Sequence, residues 1–200
     1  MKKILAIVAL FVALMGNAVS AESVLDKVAE KLTAKKTLTA TFRISNSVEG
    51  VATGEIALSG DKFVFDANGI ATVFDGTTQW TIDDSINEIS ITEPTPEEIE
   101  QINPFAIIKS YKAGYKPRLL KAANGLHRVE LVPKVDNSVK KIVIAVEPQT
   151  SLPKSLTLTM ADGSNLNIEI MTMELGVNMP SSRFEVNKDN YPGYEIVDMR

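Results

Sequence analysis

The feature that most constrains this chain is a long succession of short alternating segments separated by turn residues. In "TLTATFRIS", Leu38, Ala40, Phe42 and Ile44 fall on one side and Thr39, Thr41 and Arg43 on the other. That period of two belongs to a strand buried on one face. The pattern resumes in "TGEIALSG" through Ile56 and Leu58, in "KFVFDA" through Phe63 and Phe65, and then in "IATVFDG", "TQWTIDD" and "NEISITE". Glu49-Gly50, Gly60-Asp61, Asp75-Gly76 and the stretch from Asp83 to Asn87 supply the turns. Further on, "RLLKAA", "HRVELVPK", "KKIVIAVEP", "SLPKSLTLTMADG" and "NLNIEIMTMELG" read the same way, and "SSRFEV" reads as a short closing turn or strand. Closely spaced strands with turns between them predict an antiparallel meander. A sheet of about ten or eleven strands does not stay flat, so the expected class is mostly β (α+β): a curled, incompletely closed antiparallel barrel.

Two helical segments interrupt the strands. "ESVLDKVAEKLTAKK" carries Val24, Leu25, Val28 and Leu32 on one stripe, so this helix lies on something. Within "TEPTPEEIEQINPFAIIKSYKAG", Thr95 suits an N-cap, Pro96 the first turn, and Glu97, Glu98 and Glu100 the positive end of the helix dipole. Pro104 should break or restart that helix and Gly114 should end it. Ile99, Ile102, Phe105, Ala106, Ile107, Ile108 and Tyr111 make the pair more apolar than one stripe requires. Such a pair predicts a lid over the curled sheet, with an apolar pocket beneath it.

The N-terminus predicts export. Lys2 and Lys3 precede an apolar run from Ile4 to Met15, followed by Gly16 and the small residues Val19-Ser20-Ala21. This is a secretory signal peptide, residues 1–21, with cleavage after Ala21, and its run is too short to span a bilayer. One domain is expected over residues 22–200. Cysteine is absent, so neither a disulfide nor a lipid-bearing cysteine is available. Without Lys2 and Lys3 the 21 basic residues fall to 19 against 25 acidic ones, a net charge of −6. That balance speaks against nucleic acid as a partner. The expected location is the periplasm, in soluble form.

Chemistry-bearing residues are few. The single histidine, His127, sits between Leu126 and Arg128 at the start of a strand. No cysteine nucleophile, no G-x-S-x-G elbow, no phosphate loop and no metal-ligand cluster is present, and no cofactor is expected. Asp75, Asp83 and Asp84 flank the only tryptophan, Trp80, which would suit a carbohydrate-active enzyme if two carboxylates faced one cleft. The same aspartates stand where turns call for them, and that reading is preferred. The protein is therefore expected not to be an enzyme. Met160, Met171 and Met173 add adaptable apolar surface in the second half.

The order helix, "ATFRI", "GEIALSGDKFVFD", "VFDGTTQWTID", "INEISI", "NPFAII" resembles the periplasmic carriers of outer-membrane lipoproteins, the LolA-like family. Asp75, Gly76 and Trp80 match a D-G-x-x-x-W hairpin, Asn103, Pro104, Ala106, Ile107 and Ile108 match a lid helix, and "SRFEV" resembles a closing segment. The resemblance implies a non-catalytic monomer that shields acyl chains of lipoproteins, or another lipid, in its cavity. It implies an inner-membrane releasing complex and an outer-membrane acceptor as partners. The alternative on the same fold is an envelope domain that senses lipid or protein. The expected lining is Phe42, Ile56, Leu58, Phe63, Phe65, Trp80, Ile89, Ile91, Leu131, Ile144, Leu156, Leu158, Ile168 and Ile170, faced by Leu25, Val28, Ile107 and Ile108 from the lid. Alternation alone leaves open which face of each strand points inward. One departure stands out: where the family carries a lid-bonding arginine after the second strand, this chain has Gly60 and Asp61, with Lys62 beside them.

Overall fold

A computed structural model describes residues 19–46, 50–96, 98, 99, 103, 105–136 and 138–200. The expected leader lies outside these residues up to position 18, as do Glu97, Glu100, Ile102 and Pro104 of the mid-chain pair. The described residues open with α1 (Ala21–Ala34) and six strands, β1 (Thr37–Asn46), β2 (Gly50–Ser59), β3 (Lys62–Ala67), β4 (Ile70–Phe74), β5 (Gln79–Asp83) and β6 (Glu88–Thr92). After α2 (Ala106–Gly114) come β7 (Tyr115–Ala123), β8 (Leu126–Pro133), β9 (Val139–Val146), β10 (Pro153–Met160), β11 (Asn165–Leu175) and β12 (Glu195–Asp198).

Local chemistry explains the punctuation. Ser20 caps α1 by accepting from Ser23 N, and Ser23 Oγ reciprocates toward the Ser20 backbone. The last residues of the expected leader are thus built into the first turn of the helix, with Ala21 buried. Thr95 and Glu98 make the corresponding reciprocal pair, Thr95 N donating to Glu98 Oε2 at 2.8 Å and Glu98 N to Thr95 Oγ1 at 3.3 Å. Asn68-Gly69 and Asn124-Gly125 hold positive φ at both positions, the geometry that two-residue hairpins require.

All the described strands join one sheet in the order β12-β6-β5-β4-β3-β2-β1-β11-β10-β9-β8-β7. The first six strands form one meander and the next five another, and the seam between them is the antiparallel pairing of β1 with β11. The sheet curls without closing. The count is one strand above the upper expectation because β12 adds to β6 in parallel from a stretch with no apolar periodicity. "SSRF" forms a 3-10 turn, Ser181–Phe184, rather than a strand.

The helices pack on one face of the sheet, here the inner face. Their buried residues Val24, Leu25, Val28, Ile107, Ile108 and Tyr111 join Leu38, Ile56, Phe63, Leu131, Ile144 and Leu156 in one core. Cross-strand register carries this face through rows such as Leu38, Leu58, Phe63, Phe74, Gln79 and Thr92. Along that row the chemistry changes at β5. A second row runs Ala40, Ile56, Phe65, Thr72, Thr81 and Ser90 and changes at β4. The apolar side of β4–β6 therefore faces outward, where Val73, Ile82, Ile89 and Ile91 form a second core with Val64, Trp80, Val186, Tyr191 and Tyr194. The C-terminal segment covers this outer core. It is held by Tyr194 Oη donating to Asp84 Oδ1 at 2.9 Å, by Arg183 on Glu55 at 3.1 Å, and by the β12 ladder.

Candidate functional site: the covered inner face

The interior between sheet and helices brings together most of the residues expected there. Phe42, Ile56, Leu58, Phe63, Leu131, Ile144, Leu156, Ile168 and Ile170 share the inner core with Leu25, Val28, Ile107 and Ile108, while Phe65 and Leu158 lie partly buried at its margin. Leu38, Phe74, Val129 and Ile142 occupy the same rows, although the expected lining does not include them. For Ile142 the alternation carries the signal, since it stands two residues from Ile144 on one strand.

Trp80, Ile89 and Ile91 are corrected. Trp80 pairs with Val73 and Ile91, so all three sit on the outer face beneath the C-terminal tyrosines. A side chain there cannot line the space under α2, because the sheet itself intervenes. The carboxylates beside Trp80 are turn-makers in the structure. Asp75 Oδ1 accepts from Thr77 N at 2.9 Å and from Thr78 N at 2.8 Å, and Asp83 Oδ1 accepts from Ser85 N at 2.9 Å. The bonds from Ser85, first that from its hydroxyl, hold the Asp83 carboxyl below its ordinary range. Asp83 follows the inner row of Ile70 and Glu88, on the opposite face from Trp80. Residue 127 pairs with Val146, and His127 lines a groove of about 350 Å³ with Lys27 and Glu147 beside the start of α1.

The inner core is packed. Leu25, Val28, Phe63, Val129, Leu131, Ile142, Ile144 and Leu156 are each at 0% exposure, so no water-sized void touches them. Ile107 and Ile108 fill the space in front of the sheet themselves. At the rim a groove of about 330 Å³ runs between α2 and the turns after β2 and β4, lined by Gly60, Asp61, Phe74, Pro96, Ile99 and Lys109 among others.

Polar ties hold α2 at both ends. Lys109 Nζ donates to the Gly60 carbonyl at 3.1 Å and to Asp61 Oδ1 at 3.2 Å. The two residues found in place of the expected arginine are thus acceptors, and the cation stands on the lid. The pair is largely exposed, so the tie contributes under about 1 kcal/mol. At the other end Asp26 of α1 accepts from Tyr111 Oη and Lys112 Nζ, each at 2.7 Å. The Lys112 bond, then that of Tyr111, holds the Asp26 carboxyl below its ordinary range. Burial, then the bond to Asp26, pushes the Tyr111 phenol well above its ordinary value of 10.0.

The signs follow. A raised phenol favours the folded state up to about pH 10 and loses that contribution as pH climbs further. A depressed carboxyl contributes above its ordinary range near 3.8 and loses its contribution as pH falls through its lowered value. The Tyr111→Phe variant should therefore melt lower than wild type at pH 7, by about 1 kcal/mol for the lost bond. The difference should shrink above pH 10, where wild type must itself give up the phenol proton. Thermal melts across pH check both statements.

Residues 12–164 match the family described as "Outer membrane lipoprotein carrier protein LolA". Among curated proteins no sequence match is found. Among solved structures, an uncharacterized conserved protein from Thermus thermophilus superposes with a TM-score of 0.62 at 12% identity, over 89% of this chain and 98% of that one. A DUF1329 family protein from Desulfovibrio piger follows at TM-score 0.50 and 11% identity, over 82% of this chain and 97% of that one. A LolA superfamily protein from Nitrosomonas europaea gives 0.46 at 14% identity, over 84% and 99%. At such identities the first two likenesses speak for the fold alone. Among the described residues no helix is long and apolar enough to cross a membrane. By the match over most of its length, the chain belongs to the LolA outer-membrane lipoprotein carrier family.

Proposed function

We propose that this protein is a periplasmic carrier that shields the acyl chains of lipoproteins and delivers them toward the outer membrane. One observation carries the reading: an apolar inner face is capped by a helix of nine residues, α2, held at its edges by exposed polar ties. Water strongly disfavours exposed acyl chains, at about 0.8 kcal/mol per CH2. A carrier must offer them comparable apolar surface and yet let them go. In the closed form Ile107, Ile108 and Tyr111 occupy the place of the cargo, so uptake means that α2 swings out and chains replace its side chains. Release is the reverse, driven by the lid's own burial. The work asks for no catalytic group, and the carrier needs only a donor at the inner membrane and an acceptor at the outer one.

Protein isolated from periplasm should bring acylated cargo that mass spectrometry of organic extracts identifies. The emptied protein should take up diphenylhexatriene saturably. Absence of both cargo and dye uptake would sink the carrier reading.

A further inference from the structure

The inner face is not uniformly apolar, and its polar part contains one unsatisfied group. Gln79 stands on β5 at 9% exposure, in the row that begins with Leu38 and reaches it through Phe74. Its Nε2 donates to Thr81 Oγ1 at 3.3 Å. Its Oε1 is buried and has no hydrogen-bond partner. Thr72, also buried, pairs with Thr81, and Thr81 with Ser90, so hydroxyls continue the patch on the same face. A buried amide oxygen without a donor is disfavoured and uncommon in folded proteins. A valine or leucine here would continue the apolar face at no such cost. Phe74, the neighbour of Gln79 across the strands, lines the groove at the edge of α2. Gln79 continues the row past Phe74, so an acyl chain that passes Phe74 from that groove next meets this amide.

We propose that Gln79 is a ligand-binding residue that reads the linkage at the root of an acyl chain, its Oε1 accepting a hydrogen bond from an amide N–H. The proposal rests on the carrier reading and narrows its cargo to amide-linked acyl chains. An ester of the same length carries no donor, so it leaves Oε1 unpaired in a drier site and binds less well. Thr81 Oγ1 holds the Gln79 amide through its Nε2.

The test sets N-ethyldodecanamide against ethyl dodecanoate, each displacing diphenylhexatriene from the full chain. Wild type should bind the amide about tenfold more tightly, a difference of about 1.4 kcal/mol. Gln79→Met, which keeps length without the amide, should bind both equally. It should melt no lower than wild type, since the unsatisfied oxygen is gone. Equal binding of amide and ester by wild type overturns the proposal and needs no variant to be folded. So does a Gln79→Met protein that loses amide, ester and dye together, which would mark Gln79 as a support of the fold. Failure of wild type to bind the dye at all is a different result, because it removes the carrier reading itself.

Discussion

Replacing Ile108 with alanine should make the protein less stable and a better binder at once. Ile108 is 1% exposed and lies in the inner core, so its truncation should cost about 2–5 kcal/mol. The loss falls first on α2, whose buried underside is only Ile107, Ile108 and Tyr111. An element with so little burial opens before the sheet does. Since apparent affinity scales with the fraction of molecules open to ligand, each 1.4 kcal/mol removed from closure tightens binding about tenfold, until the lid is mostly open. Titration with diphenylhexatriene should thus show tighter binding alongside a lower melting temperature. Ile144→Ala is the control: Ile144 is fully buried on the sheet, and its loss should destabilise without tightening. Weaker dye binding by Ile108→Ala would mean that the helix holds cargo instead of standing in for it.

Gly54→Ala should be nearly as costly, from a residue with no side chain to lose. A Cβ at this position would stand 2.3 Å from the Asp66 carbonyl oxygen and 2.6 Å from the Phe42 ring. Phe42 lies over Gly54 and stacks on Phe65, with centroids 5.1 Å apart and planes at 16°. The ring can turn at some expense, but the Asp66 backbone is fixed in the β2–β3 ladder. Overpacking of this kind costs about 3 kcal/mol, which for a chain of this size lowers Tm by roughly 6–12 °C. In a double-mutant cycle with Phe42→Ala the two losses should sum to more than the double variant shows. An alanine tolerated without loss would mean that the aromatic pair is not seated on the glycine.

The strands were legible because alternation and turn chemistry agreed over most of the chain, as in "TATFRI" and at Gly60-Asp61 and Asp75-Gly76. The period, however, carries no sign. "TQWTIDD" and "NEISIT" present Gln79, Thr81 and Ser90 on one side and Trp80, Ile82, Ile89 and Ile91 on the other. The bulkier side went outward because Val186, Tyr191 and Tyr194 arrive from the end of the chain to bury it. That segment has no strong period of its own, and β12 is recruited through backbone pairing with β6. Strands β4, β5 and β6 offered a run of inward hydroxyls and amides, Thr72, Gln79, Thr81, Ser90 and Thr92, and this was the available clue. The lid tie was not legible for a simpler reason: the family resemblance puts the cation after β2, and here it sits on α2 as Lys109.

The seam between the meanders also sets an order of assembly. Within each meander every strand pairs with a sequence neighbour, so hairpins can form as soon as both arms are present. β1 is different: its second partner is β11, with Leu38 aligned to Leu175. Closing so long a loop is entropically costly and waits for nearly the whole chain. Until then β1 presents a ten-residue unpaired edge, open to strands of other molecules. A chain emerging N-terminus first thus keeps that edge of β1 unpaired until β11 has followed it.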